Sequence, residues 1–228
     1  MNITAPPMEE AKSYTARMTA RRRLSAHTFE ITMEYPDSFR FVAGHSIRIH
    51  YQDTYRHYSM VNDPDSRQLV LCVRLVQNGL LSPVLADCNM GTSFTISGPY
   101  GYFRFNPSPR HPVFVASGTG IAPFASMAHA GVEGFTLIHG VRYGEELYYR
   151  NQIESAAKAY VPCITQPSGH DSAIRESFHG RVTDYISRYL SPASYDFYLC
   201  GRREMLRDVT HLVDDRFPGS LVYTEIFF

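Results

Sequence analysis

Over the first hundred positions, apolar residues recur in short alternating runs. "SYTARMTARRR", "HTFEITMEY", "SIRIHYQ", "RHYSMV", "QLVLCVRLV" and "TSFTISG" each carry apolar or β-branched side chains at about every second position, the period of a half-buried strand. Pro36-Asp37, Ala43-Gly44, Asn62-Asp63-Pro64 and Asn78-Gly79 punctuate these runs with turn chemistry. Regular short strands between turns predict an antiparallel all-β barrel, Greek-key-like, or a sandwich. One helical candidate, "LLSPVLADC", interrupts the strands where a cap on that barrel would lie.

The pattern changes after "NPSPRHP", a linker-like stretch rich in proline and polar residues. "VFVAS", "FTLIHGV", "YVPCIT" and "YDFYLCG" are compact apolar strands, separated by helical stretches "PFASMAHA", "EELYYRNQIESAAKAY", "VTDYISRYL" and "REMLRDVTHLVDD". Strands alternating with helices imply βαβ units and a parallel sheet. The expected organisation is an unstructured lead-in over 1–13, a β-barrel domain over 14–107 and an α/β domain over 108–228.

A chain of 228 residues with 44% hydrophobic side chains is long enough for two cores. Its 22 basic and 22 acidic residues cancel, so nothing favours nucleic acid or an anionic membrane as the partner. No apolar run approaches the roughly eighteen residues that span a bilayer. "MNITAPPMEEAKSY" lacks the charged and apolar regions of a secretory signal, and a cytoplasmic location is expected. Cys72, Cys88, Cys163 and Cys200 are scattered, without the close spacing of an iron–sulfur cluster. The ten histidines show no paired ligand spacing, so no metal site is assigned.

Several stretches carry candidate chemistry, each with a plain structural alternative. In "VFVASGTGIAPFASM", glycines follow a buried strand and open a helix, which suits either a phosphate or a tight strand–helix turn. "YLCGRREM" puts Cys200 and Gly201 at the carboxyl end of a strand, where ligands of open sheets bind; an isolated cysteine is also commonly structural. "QNGLLSPVL" is either an ordinary helix start or a phosphate nest formed by Ser82 and the N–H groups after Gly79. "GPYGYFRF" reads as a turn closing a strand, and "YTEIFF" as an edge strand or as a terminal aromatic over a flat cofactor. Arg21 to Arg23, with Arg17 before them, read first as a solvated strand edge and second as a docking surface.

Taken in order, "RHYS", "GLLS", "GPYGYF", "GTGIAP", "HGVR", "CGRREM" and a terminal "EIFF" resemble the ferredoxin–NAD(P)H reductase superfamily. That resemblance covers the chain from about residue 14 to its end and implies a flavin-binding barrel joined to a nicotinamide-binding α/β domain. It implies that Arg56, His57, Tyr58 and Ser59 bind flavin, with Arg56 on a phosphate, Tyr58 against the ring and Ser59 near N5. It implies that Gly79, Leu80, Leu81 and Ser82 take the flavin pyrophosphate, which favours FAD over FMN. Gly118, Thr119, Gly120, Arg142 and Gly201 then belong to the nucleotide site, and Phe227 or Phe228 supplies the ring over the flavin. Ser59, Cys200 and Glu225 are the implied catalytic residues. Residues 56 and 58 share one strand face and 59 takes the other, so a bend is needed for all three to reach one ligand. The turn Asn62-Asp63-Pro64 is the expected source of it.

Two departures accompany the resemblance. His45 stands where many members carry Gln. "QPSG" follows the strand "VPCIT" where NADP-dependent members often have arginine, which favours NADH; Arg142, Arg175 and Arg181 are the cations available for a 2′-phosphate. The implied activity is hydride transfer from NAD(P)H to FAD, with electrons passed to a separate ferredoxin, flavodoxin or oxygenase component. An NAD(P)H:flavin reductase that releases reduced flavin is the alternative within enzymes, and a non-catalytic flavin-binding redox sensor the alternative outside them.

Overall fold

A computed structural model describes residues 12–167 and 177–226. Six antiparallel strands come first: β1 (Ser13–Ser25), β2 (Thr28–Glu34), β3 (Ser46–Tyr51), β4 (Thr54–Ser59), β5 (Gln68–Arg74) and β6 (Ser93–Tyr100). A short helix, α1 (Ser82–Asp87), lies between the last two. Their order in the sheet is β4-β3-β6-β1-β2-β5.

Two backbone contacts close this sheet at one end. Met60 bridges Leu71, and the Val61 N–H donates to the Val70 carbonyl at 2.9 Å. The chain therefore leaves its pairing with β3 at Ser59 and begins pairing with β5 at Met60. The backbone then bends at Asn62, within the expected Asn62-Asp63-Pro64 stretch. The Asn62 side chain fixes that turn to β5: it accepts the Val70 N–H at 2.7 Å and donates to the Gln68 carbonyl.

Alternation sorts the strands into two cores. Phe29, Ile31 and Met33 of β2 and Leu69, Leu71 and Val73 of β5 fill the barrel with Ile47, Ile49 and Phe94. The opposite face of β5 carries Val70 and Cys72 into a second cluster, shared with the following domain.

Six parallel strands follow: β7 (His111–Ser117), β8 (Thr136–Val141), β9 (Ala159–Ile164), β10 (Phe178–His179), β11 (Tyr195–Gly201) and β12 (Leu221–Ile226). Four helices connect them: α2 (Ala122–His129), α3 (Arg150–Glu154), α4 (Val182–Tyr189) and α5 (Arg203–Arg216). The order β10-β9-β8-β7-β11-β12 runs outward one way from β7 and then restarts on its other side. Helices cover both faces: α2 and α3 pack with Phe114, Leu137 and Tyr198, while α4 and α5 pack with Val115, Ile138 and Leu199.

The helix expected over "EELYYRNQIESAAKAY" is mostly not one. A 3₁₀ turn covers Gly144–Glu146, only Arg150–Glu154 is α-helical, and Ala159 already opens β9. Tyr149 adopts φ 58°, and the two tyrosines are taken by the first domain. Tyr148 Oη lies 2.8 Å from Ser25 Oγ, and the Tyr149 hydroxyl donates to Glu30 at 2.9 Å. Tertiary bonds override helix propensity here.

The segment between the domains is tied down. The Asn106 N–H donates to Tyr198 Oη at 3.1 Å, Ser108 donates to Asp196, and Arg110 pairs with buried Asp196 at 2.6 Å. Ser126 Oγ donates to the Asn62 carbonyl at 2.8 Å, so α2 is bonded directly to the barrel.

Candidate active site

In a parallel sheet the ligand crevice lies beyond the carboxyl ends of the strands where the order reverses. That point falls between β7 and β11, whose ends are Ser117 and Gly201. Their two turns interlock. A Cβ on Gly120 would stand 2.3 Å from the Cys200 carbonyl oxygen, and one on Gly201 would stand 2.1 Å from Ser117 Oγ. Ser117 Oγ in turn accepts the Arg202 N–H at 3.0 Å. Contact requires glycine at both positions, and at Gly201 a φ of 142° requires it as well.

From the barrel side, Ser59 reaches this junction. Its hydroxyl donates to Glu225 Oε2 at 3.0 Å, and Glu225 pairs with Cys200 across β12 and β11. Burial raises the Glu225 carboxyl from 4.5 to about 7, with the Ser59 hydrogen bond pulling the other way. Burial also pushes the Cys200 thiol well up, and the neighbouring Glu225 carboxylate adds to it. Cys200 is fully buried, so its thiol stays protonated and acts as a packing surface rather than a nucleophile. The three residues expected to be catalytic thus form one constellation: Ser59 bonded to Glu225, and Glu225 paired with Cys200.

The remaining expected residues divide. Arg56 is exposed on β4, its guanidinium donating to Thr54 Oγ1 at 3.0 Å and the Tyr55 carbonyl at 2.8 Å. Tyr58 packs on the barrel cluster that also holds Leu81 and Leu85, and burial raises its phenol to about 12. His57 does not join them. Strand alternation turns it to the outer face, where its ring meets those of Tyr55 and Tyr100 edge-to-face and accepts from Arg48 Nε at 3.0 Å.

In the loop after β5, the Gly79 N–H donates to the Val76 carbonyl at 2.8 Å. Ser82 Oγ, expected in a phosphate nest, accepts the Val76 N–H at 3.0 Å, so in this arrangement the hydroxyl staples the loop. Leu80 is exposed and Leu81 buried. Gly118 and Thr119 lie in the 3₁₀ turn Gly118–Ile121 that leads into α2. Arg142 is exposed at the end of β8, where its N–H donates to Glu146 Oε2 at 3.0 Å. Arg175, Phe227 and Phe228 lie outside the described residues.

His45 Nδ1 accepts the Val42 N–H at 3.3 Å, a local loop contact. The basic cluster serves the strand edge: Arg17 pairs with Glu34, Arg22 with Glu30, and Arg21 donates to the Cys88 carbonyl at 2.9 Å. Among the described residues no helix is long and apolar enough to cross a membrane. One residue of this region escaped the sequence reading. His139 is buried in β8 and touches the Gly118 carbonyl at 3.3 Å; a lone histidine in an apolar strand gives no signal of such a partner.

Residues 15–105 match the oxidoreductase FAD-binding domain family, and residues 114–211 the oxidoreductase NAD-binding domain family. Ferredoxin–NADP reductase B of Sorangium cellulosum is 32% identical over 227 residues, covering 90% of this chain and 93% of that protein. The toluate 1,2-dioxygenase electron transfer component of Pseudomonas putida is 27% identical, covering 88% of this chain and 63% of that one. The anthranilate 1,2-dioxygenase electron transfer component of Acinetobacter baylyi is 29% identical, covering 82% and 58%. The chain thus spans about three fifths of these two oxygenase components. A ferredoxin–NADP reductase from Neisseria gonorrhoeae, solved with FAD and NADP, superposes with a TM-score of 0.83 at 23% identity, over 96% of this chain and all of that one. With two domain families in series, a relative matched over nearly its whole length, and a Ser–Glu–Cys constellation at the strand-order reversal, the chain belongs to the ferredoxin–NAD(P) reductase-like family of FAD- and NAD(P)-dependent oxidoreductases.

Proposed function

We propose that this chain takes hydride from a reduced nicotinamide nucleotide and passes the electrons singly to a separate carrier protein. The observation that carries the proposal is the Ser59–Glu225 bond at 3.0 Å. It joins the FAD-binding and NAD-binding domains beside the crevice where the strand order reverses.

The side chains present suit an FAD. Arg56 is an exposed cation on the edge strand, and its planar fork matches phosphate oxygens. The Tyr58 ring offers a flat apolar face at the barrel mouth. Gly79 to Ser82 close a loop at the start of α1 on which a pyrophosphate would rest, with the Ser82 hydroxyl exchanging its present partner for a phosphate oxygen. Bound there, FAD supplies an acceptor for a hydride pair and a donor of single electrons.

The chain's own task is orientation and proton control. Cys200, buried and neutral, would shape the floor of the place a nicotinamide ring would occupy. Ser59 and Glu225 hold an exchangeable proton at the ring edge, with Glu225 placed to titrate near neutral pH. Gly118, Thr119, Gly120 and Gly201 shape the nucleotide turn, and Arg142 stands at its rim. Phe227 and Phe228, two and three positions after Glu225 in the sequence, are the proposed source of the aromatic cover. His57 is left out of the flavin set, since its imidazole is engaged by Arg48 on the outer face.

NADH is the proposed donor, on the "QPSG" sequence after β9. The acceptor is proposed from the relatives' names, a ferredoxin or an oxygenase component. The test is an anaerobic titration of the yellow purified protein with NADH and with NADPH, followed by reoxidation with a ferredoxin. Bleaching by NADH at lower concentration than by NADPH is expected. A colourless protein that turns over only with added riboflavin would replace this reading by the flavin reductase one, and a yellow protein that neither nucleotide bleaches by the redox sensor one.

A further inference from the structure

His139 is fully buried at the centre of the parallel sheet, opposite Ala116 of β7 and Pro162 of β9. Its two ring nitrogens have different partners. Nε2 lies 3.3 Å from the Gly118 carbonyl oxygen, and Nδ1 lies 2.9 Å from the Tyr160 hydroxyl. A carbonyl only accepts, so Nε2 carries the hydrogen; a neutral ring then leaves Nδ1 as acceptor and Tyr160 as donor. Burial lowers the imidazole to about 4, consistent with a ring that stays neutral in this bonding pattern.

The consequence lies on the far side of the peptide bond. In a planar trans peptide the carbonyl and the N–H point in opposite directions. With the Gly118 carbonyl drawn into the sheet, the N–H of Thr119 is turned away from it, outward at the end of β7. Thr119 is in the first turn of the 3₁₀ helix Gly118–Ile121, where backbone N–H groups have no intrahelical partner. Without the His139 bond, Gly118 at φ 53° has no side chain to restrain a flip of that peptide.

We propose that His139 is a positioning residue for the nicotinamide nucleotide: its bond to the Gly118 carbonyl, braced by Tyr160, holds the Thr119 N–H toward the dinucleotide phosphates. This rests on the nucleotide reading given above.

Three variants decide it. His139→Gln places an amide donor at the distance of Nε2, His139→Asn reaches only as far as Nδ1, and His139→Phe fills the space with neither bond. Binding of NAD+ by calorimetry and the steady-state constants for NADH are the readouts. For the Asn and Phe variants, Kd for NAD+ and KM for NADH are expected to rise about tenfold, the effect of one lost polar contact. Flavin content and kcat should stay within about twofold, while Gln restores affinity to within about threefold of wild type. The Asn and Gln pair remains informative if the Phe variant does not fold. Asn and Gln variants with equal affinity overturn the proposal, as does a fall in kcat and thermal stability with unchanged KM. A 15N spectrum showing Nδ1 protonated also overturns it. A wild-type protein that binds neither nucleotide would sink the functional reading itself, a result distinct from variants that match a working wild type.

Discussion

The Ser59 hydroxyl meets Glu225 Oε2 at 3.0 Å, although 166 positions separate the two residues. Ser59 ends an edge strand of the barrel, and Glu225 sits on the edge strand of the parallel sheet. The contact exists only when both domains are folded and docked. It also links docking to protonation. The folded protein holds the Glu225 proton up to about pH 7, against 4.5 for an ordinary glutamate. Between those values the folded state binds more protons than the unfolded chain, so stability falls as pH rises through the window. The loss is on the order of 3 kcal/mol. Denaturant unfolding at pH 5 and pH 8 measures it. Glu225→Gln should flatten the profile and be the more stable form at pH 8; an unchanged slope would remove Glu225 as its source.

Arg56 is exposed and, among the described residues, its guanidinium donates to Thr54 and Tyr55 of its own strand, so replacing it costs little in the folding of the protein. Its proposed partner is a phosphate. Arg56→Ala is therefore expected to weaken FAD binding by about 2 kcal/mol, roughly 30-fold in Kd, with unfolding unchanged. Flavin fluorescence titration checks this, and equal Kd values would remove Arg56 from the phosphate site.

What the sequence disclosed, and what it hid, follows from the range of each interaction. Strands β7, β8, β9 and β11 are legible because buried parallel strands are continuous apolar runs, as in "YDFYLCG". The barrel strands are legible from their period of two. The misread helix at 145–160 had good local propensity; what broke it was Ser25 and Glu30, more than a hundred positions away. The switch of pairing partner from β3 to β5 at Ser59–Met60 was hidden for the same reason, while the bend at Asn62 was legible from its Asn-Asp-Pro turn chemistry. His57 lies between Arg56 and Tyr58 in "RHYS", and alternation puts its side chain on the face opposite Tyr58, a separation legible in the sequence. The candidate site was legible through the order of seven short motifs, none of them decisive singly. Its electrostatics were not, because the Glu225 carboxyl owes its shift to burial between domains.

Cys200 tests whether a buried thiol can matter to the reaction without reacting. Its neutral state and zero exposure leave it shape as its contribution. Cys200→Ser is smaller and more polar, and should cost about 1 to 2 kcal/mol of stability. Flavin should remain bound, while stopped-flow reduction of flavin by NADH slows. Equal reduction rates in variant and wild type would return Cys200 to a purely structural role.

Gly120 separates the two halves of the crevice most sharply. A Cβ there would lie 2.3 Å from the Cys200 carbonyl oxygen and 2.7 Å from Gly201 Cα, both backbone atoms that no rotamer change can move. Gly120→Ala must therefore push the β7 and β11 turns apart, at about 1 to 3 kcal/mol. The barrel does not share that contact, so FAD binding should persist while the KM for the nicotinamide nucleotide rises. Gly118→Ala is the control: its Cβ meets nothing within 4 Å, though its φ of 53° imposes backbone strain, about 1 kcal/mol for alanine. If the clash governs the crevice, Gly120→Ala raises KM more than Gly118→Ala does. Equal effects would show that backbone conformation, and not the packing of the two turns, sets the nucleotide site.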